Sequence, residues 1–180
     1  MKWRLILVAF TLVPFLSLQA QQTSPTPPTN PWKDFDFLVG EWTWVGGGRP
    51  GQGKGLSTFR AELDGTVLVR KTHLDYPATK ERAAFGHDDL IYVYHDPQDN
   101  SVHAIFFDGE GHVIRYAVTV ASDANSIEFL SDAAPGGTRC RMTYARAGVD
   151  TVTEKFEIAP PGKPNEFATY VEFTAKKIGN

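Results

Sequence analysis

The chain has 180 residues, of which 42% are hydrophobic and 22% charged, and its formal net charge is −3. A chain of this length and composition can bury a core, which excludes an intrinsically disordered protein, and it contains no collagen-like or coiled-coil repeat. Because its net charge is negative, the chain does not attract nucleic acid or anionic lipid, and we expect no nucleic-acid partner.

The N-terminal segment has the order of a secretory signal peptide. Lys2 and Arg4 precede an apolar run at residues 5–18, and Ala20 ends the segment. The alternative is an uncleaved anchor, but Pro14 interrupts the run, which is shorter than the ~20 residues that span a bilayer. We therefore predict a signal peptide at 1–20, a secreted or periplasmic location and no membrane insertion after cleavage.

A proline-rich segment follows. Residues 21–31 carry four prolines among Thr, Ser and Gln, a composition that favours extended, solvated backbone and builds no core. We predict a disordered linker at 21–31 and one folded domain at 32–180. At the start of that domain, residues 32–38 are expected to form a short helical turn with Asp34 as its N-cap.

The rest of the chain has an all-β pattern. Short β-branched and aromatic runs alternate with Gly, Pro, Asp and Asn at spacings of about ten residues. At the sharpest turn signal, Asp64-Gly65, both residue types tolerate the positive φ of a type I′ hairpin, so the strands on either side are predicted to pair. The ten predicted strands are residues 39–45, 55–63, 66–75, 85–95, 101–107, 113–120, 126–130, 138–145, 151–158 and 167–177.

Ten strands joined by short turns favour an antiparallel up-and-down β-barrel, because closure removes the exposed edges. An open β-sandwich is the alternative that the same pattern allows. Barrels of more than eight strands are filled poorly by side chains alone, so a ten-stranded barrel tends to enclose a cavity. A cavity of this kind is a place for a ligand.

Four stretches carry a resemblance to a known family. They are residues 35–42, which contain Gly40-Glu41-Trp42, and residues 63–70, 107–116 and 156–162. In these stretches the chain resembles a family of uncharacterised secreted bacterial lipocalin-like proteins, which is similar in turn to the nitrobindin and fatty-acid-binding calycins. Gly-x-Trp opens the first strand of a ten-stranded barrel in that group. The resemblance implies a calycin barrel that binds a small molecule.

The same resemblance does not imply haem. Nitrobindin-type proteins carry Gly-x-Trp-x-Gly-x-Gly, whereas this chain has Trp44 in place of the middle glycine. Those proteins also bind haem iron through a histidine near the C-terminus. No histidine follows His112, and the last predicted strand offers Thr169, Tyr170 and Glu172 instead. We expect no cofactor, and haem stays an alternative only through another ligand.

The sequence motifs for other chemistry are weak. Residues 48–55 resemble a phosphate-binding loop, but Gly55 lacks the required hydroxyl and a strand follows, so a mobile hairpin connection is the better interpretation. Among the histidines, only His73 with His103 or His112 is kept open as a metal pair, and no metal site is predicted. No catalytic set is visible, and Cys140 is expected to be a small buried hydrophobe.

Aromatic and basic residues on the predicted strands supply the candidate ligand contacts. Aromatic stripes in a barrel line either a core or a pocket, and an inward arginine is costly unless it is paired, as with a ligand carboxylate. Arg70 and Arg115 are the alternative anchors for such a carboxylate. The candidate ligand-binding residues are Trp42, Trp44, Arg70, His73, Tyr92, Tyr94, Arg115 and Tyr116.

Together these patterns predict an exported barrel that binds a small hydrophobic or amphipathic molecule, with an apolar or carboxylate-bearing ligand inside. A solidly filled barrel that acts as an interaction or structural module is the alternative, and a haem-binding or enzymatic calycin is the third candidate. The pattern predicts no particular oligomeric state.

Overall fold

The computed structural model describes residues 30–132 and 137–179, which form an all-β domain. Ten antiparallel strands close into a barrel in which each strand pairs with its neighbours in sequence and β1 pairs with β10. The predicted all-β, ten-stranded up-and-down barrel is confirmed, and the open sandwich is wrong. The strands are β1 (Gly40–Gly48), β2 (Gly51–Glu62), β3 (Val67–Tyr76), β4 (Phe85–Asp96), β5 (Ser101–Asp108), β6 (Val113–Val120), β7 (Ser126–Ser131), β8 (Arg139–Gly148), β9 (Thr151–Ala159) and β10 (Ala168–Lys177).

Side chains alternate between the interior and the outer face, as the period of a β-strand requires. On β3, for example, Leu68, Arg70 and Thr72 are buried, whereas Lys71 and His73 are exposed. The buried positions of all ten strands meet in one core rich in Trp, Phe and Tyr. Cys140 lies in this core as a free, buried thiol, as the sequence predicted.

One end of the barrel, which we call the capped end, is covered by residues 30–39. They contain a short 3-10 helix, η1 (Lys33–Phe35), which begins after Trp32, and no side chain caps it. The predicted Asp34 N-cap is therefore wrong: Asp34 lies inside the turn. The Trp32 indole donates to the carbonyl of Gly65 at 2.7 Å, and the ring packs on His95, with 5.0 Å between centroids. These contacts hold the segment across the barrel.

The hairpin between β2 and β3 lies at the capped end and is wider than the predicted two-residue turn. Leu63, Asp64 and Gly65 all have positive φ, of 51°, 55° and 86°. Two overlapping turns result, in which Gly65 N–H donates to Glu62 and Thr66 N–H donates to Leu63, both at 3.1 Å. The predicted pairing of the flanking strands is confirmed, with Glu62 opposite Val67.

The opposite end, which we call the open end, carries the connections that follow β1, β3, β5, β7 and β9. The glycine-rich segment 48–55 lies here but is mostly strand, because Gly48 pairs with Gly51 and only Arg49 and Pro50 connect them. The predicted hairpin connection over residues 48–55 is therefore wrong in extent. Glycine is required in this corner, since a Cβ on Gly46 would lie 2.2 Å from the carbonyl oxygen of Glu172.

The predicted signal peptide and nearly all of the predicted linker fall on residues 1–29, outside the described residues, as does most of the predicted turn between β7 and β8. Within 30–132 and 137–179, no helix has the length and apolar character needed to cross a membrane.

Candidate ligand-binding site

A charged side chain lies in the barrel interior at Arg70. It occupies the inward row of β3, between Leu68 and Thr72, and its side chain is only 2% exposed. A buried guanidinium is costly unless charged and hydrogen-bonding groups surround it. The neighbouring strands must therefore supply its partners.

Three inward side chains surround the Arg70 guanidinium. Asp89 of β4 accepts a hydrogen bond from Nη2, and the Tyr144 hydroxyl of β8 accepts one from Nη1. Both carboxylate oxygens of Glu154 on β9 lie 3.1 Å from Nη1. We call Arg70, Asp89, Tyr144 and Glu154 the interior charge cluster. It ties β3 and β4 to β8 and β9 across the barrel.

The cluster shifts the pKa values of its members. Burial raises the pKa of Glu154, and Asp89 raises it further, while Arg70 opposes the shift. Burial alone would lower the pKa of Arg70, but Asp89, Tyr144 and Glu154 raise it well above its usual value. Burial raises the pKa of the Tyr144 phenol strongly. Arg70 is therefore a permanent cation, and its surroundings favour the protonated form of the Glu154 carboxyl.

Aromatic rings pack around one side of the cluster. The Tyr144 ring meets Phe59 and Phe129 edge to face, with 5.6 and 5.7 Å between centroids, and Trp44 at 6.3 Å. The Trp44 indole donates to the Ser57 hydroxyl, so its polar atom is satisfied within the core. Tyr144 thus joins a packed aromatic core to the charge cluster.

Apolar side chains around the open end face the interior but keep part of their surface in solvent. The residues opposite them on neighbouring strands show that they face inward: Phe106 lies opposite buried Ile91, and Phe156 lies opposite buried Met142. Tyr76 stacks on Phe85 with 4.7 Å between ring centroids, and its buried phenol has a pKa raised to about 12. We call the half-buried set the apolar rim; it consists of Phe85, Phe106, Ile114, Phe156 and Val171.

The rim and the charge cluster are linked through His87. This residue lies on the inward row of β4, opposite Leu74, and its side chain is 20% exposed. Its Nε2 lies 3.7 Å from the Asp89 carboxylate, and its Nδ1 lies 3.4 Å from Glu110 in the β5–β6 connection. A chain of polar groups therefore runs from this surface loop to buried Arg70.

The structure divides the eight candidate residues between the two faces of the barrel. Trp42, Trp44, Arg70 and Tyr116 are buried in the interior, each at most 2% exposed. The other four side chains lie on the outer face: His73 pairs with Asp88 and Asp75, and Tyr92, Tyr94 and Arg115 are partly or fully exposed. Arg70 therefore lies inside and Arg115 outside; a ligand role for any of the eight stays a prediction.

Sequence reasoning missed the partners of Arg70. Alternation along the strands could have identified two of these partners as inward residues. Glu154 is the charged residue on a row of β9 that also carries Val152 and Phe156, and Tyr144 lies on the inward row of β8 with Met142. The pairing of Arg70 with Tyr144 and Glu154 could not be predicted, because these residues lie 74 and 84 positions from Arg70 in the chain.

One polar cluster on the surface has donor atoms of the kind that hold a metal. Ligand atoms of Asp108, at the end of β5, and of Glu110 and His112, in the β5–β6 connection, lie within 4.8 Å of one another. The Asp108 carboxylate already accepts hydrogen bonds from the His112 ring and from two backbone amides. The structure thus groups His112 with these acids and not with His73, the pairing that the sequence left open.

Two hollows also open on the barrel surface. The larger, of about 410 Å³, lies across β3, β4 and β5, and its lining includes outward Lys71, Leu90 and Phe107 together with Thr72 and Asp89 of the interior rows. The smaller, of about 210 Å³, lies between the outward side chains of β2 and β3. Neither includes a member of the apolar rim.

Comparison of the chain with models of protein families, and with curated protein sequences, finds no match. The resemblance to lipocalin-like proteins therefore stays a prediction, and the barrel itself is what the structure establishes.

Proposed function

We propose that this protein is an exported carrier or receptor that binds a small apolar or amphipathic molecule through the open end of its barrel. The observation that carries the proposal is the asymmetry of the two ends. Residues 30–39 cover one end, and Trp32, Phe35 and Leu38 are almost fully buried there. At the other end the apolar rim faces inward and keeps contact with solvent.

The interior offers two kinds of contact to such a molecule. The rim presents phenylalanine and aliphatic side chains, which favour an apolar body, and the charge cluster presents polar groups, which fix a head group. A mainly apolar wall with a few convergent polar groups is the usual composition of a small-molecule site. Export is supported by the signal-peptide pattern of residues 1–20.

A filled barrel that acts as an interaction module is the second candidate, and the outer face favours it. Tyr92 and Phe107 pack edge to face at 6.2 Å, yet they are 39% and 38% exposed. Exposed aromatic pairs of this kind are enriched where proteins dock.

A titration with Nile red, an uncharged apolar dye, tests the ligand-binding proposal. Freshly purified protein is examined first by native mass spectrometry, in which a co-purified ligand appears as an adduct. We expect saturable dye fluorescence that Ile114→Trp abolishes, because this substitution fills the rim. Val113→Trp is the matched control, since residue 113 is 55% exposed on the outer face.

An equal loss in both variants, or no saturable binding by the wild type, would contradict the proposal. Dye binding that Tyr92→Ala abolishes and Ile114→Trp leaves intact would favour the outer face and the interaction module.

A further inference from the structure

Two polar atoms of β3 lack partners inside the barrel. Arg70 Nε and Thr72 Oγ1 are both buried, and neither has a hydrogen bond to any part of the chain that the structure describes. The two residues lie on the same inward row, and their side chains are at least nine-tenths buried. Buried polar atoms are nearly always paired in proteins, so we expect a group from outside the described chain, a ligand atom or a water molecule, to pair with them.

The chemistry of the two atoms limits what that group is. Arg70 Nε carries a hydrogen and can only donate, so it needs an acceptor. The Thr72 hydroxyl can donate or accept. An oxygen atom satisfies both, whereas an ammonium group has no lone pair and would leave Arg70 Nε unpaired.

The charge of the surroundings excludes an anionic oxygen. Asp89 and Glu154 already face the single guanidinium of Arg70. A third carboxylate would meet two like charges in a medium that screens them weakly. The raised pKa of Glu154 agrees, because burial and, after it, the Asp89 carboxylate already disfavour a second negative charge here.

We propose that the ligand is an amphipathic molecule with an uncharged oxygen head group, a hydroxyl or carbonyl; this inference rests on the function proposed above. This oxygen accepts from Arg70 Nε and pairs with Thr72 Oγ1, while the apolar chain lies against the rim. The inference replaces the carboxylate-bearing ligand considered from the sequence with a neutral one.

Three probes with the same alkyl chain test the head group: decanol, decanoate and decylammonium. Their affinities for the full mature protein are measured near neutral pH by displacement of Nile red. We expect decanol to bind about tenfold more tightly than either charged probe. Decanoate or decylammonium binding as tightly as decanol would overturn the head-group inference and leave the ligand-binding proposal standing. No displacement by any probe would overturn both.

Variants of Thr72 identify the contact itself. Thr72→Val removes only the hydroxyl, which has no partner in the protein, so the variant should fold with an unchanged denaturation midpoint. We expect it to lose about threefold to tenfold in affinity for decanol and to bind the charged probes as before. Thr72→Ser should restore decanol binding, and Thr174→Val, on the exposed outer face of β10, is the control.

A Thr72→Val protein that binds decanol like the wild type would overturn the proposed contact. It would mean that a water molecule fills the position whether or not a ligand is bound.

Discussion

The Arg70 guanidinium and the Asp89 carboxylate form an ion pair inside the barrel, diagonal across two adjacent strands. Asp89 lies opposite Thr72, two residues from Arg70 along β3. Both side chains are at least 95% buried. A buried pair is weak evidence for added stability, because desolvation offsets the attraction, but loss of one partner leaves the other charge uncompensated.

Replacement of Arg70 should therefore be severe. Arg70→Met leaves Asp89 and Glu154 in the interior without a cation, and we expect the free energy of unfolding to fall by about 3–5 kcal/mol. Chemical denaturation monitored by tryptophan fluorescence measures it. Arg115→Met, on the exposed outer face of β6, should change the same quantity by no more than about 0.5 kcal/mol. Equal, small effects would show that the interior cluster does not form.

Glu154 should make the protein less stable as the pH rises. Its pKa is raised in the folded state, so the native protein holds this proton more tightly than the unfolded chain does. The resulting stabilisation is complete below the ordinary glutamate value of 4.5 and is lost as the pH rises through the folded pKa. We expect Glu154→Gln to gain stability relative to the wild type between acid and neutral pH.

Denaturation curves recorded across that pH range measure the effect. Glu172→Gln, at an exposed position on β10, is the control and should follow the wild type. A wild-type protein that gains stability over Glu154→Gln with rising pH would contradict the sign of the shift.

Truncation of Trp42 should open a large cavity next to the capped end. The ring is 1% exposed, and its indole N–H donates to the Leu38 carbonyl at 2.7 Å. We expect Trp42→Ala to lower the free energy of unfolding by about 3–5 kcal/mol. Leu56→Ala, at a side chain 56% exposed on β2, should change it by about 0.5 kcal/mol or less. An unchanged melting curve for Trp42→Ala would show that this ring is not a core element.

A side chain at residue 46 should lower the stability of the protein. A Cβ there would lie 2.2 Å from the Glu172 carbonyl oxygen and 2.6 Å from Phe173 Cα, and both are backbone atoms that cannot turn away. We expect Gly46→Ala to cost about 1–3 kcal/mol in thermal or chemical unfolding. Gly109→Ala is the control, because its nearest contact would be 3.8 Å away. Similar midpoints for both variants would contradict this close approach of β1 and β10.

The number and order of the strands could be predicted because each strand has its own local signal. Alternation and turn residues act within about ten residues, and all ten predicted strands match observed ones to within a few positions. Alternation also indicates the face of some side chains. On β6, Ile114, Tyr116 and Val118 form an apolar row that faces inward, and Arg115, the alternative anchor that the sequence analysis left open, lies on the other face.

The candidate site was less predictable because its contacts are long-range. Tyr92 and Tyr94 share a face with Leu90, and nothing in β4 alone decides whether that row or the row of Asp89 and Ile91 faces inward. The structure places the second row inside, where Asp89 forms an ion pair with Arg70. Whether Arg70 Nε and Thr72 Oγ1 find partners within the barrel depends on side chains from several strands, so it could not be predicted from the sequence of β3.

The most direct test of the account is where a ligand sits in the barrel. Nuclear Overhauser effects between decanol and labelled methyl groups of the protein locate it. We expect contacts to Ile114 and Val171 of the apolar rim and none to Leu56 and Val113 of the outer face. Contacts confined to the outer-face methyls, or none at a saturating concentration of decanol, would contradict a ligand site in the barrel interior.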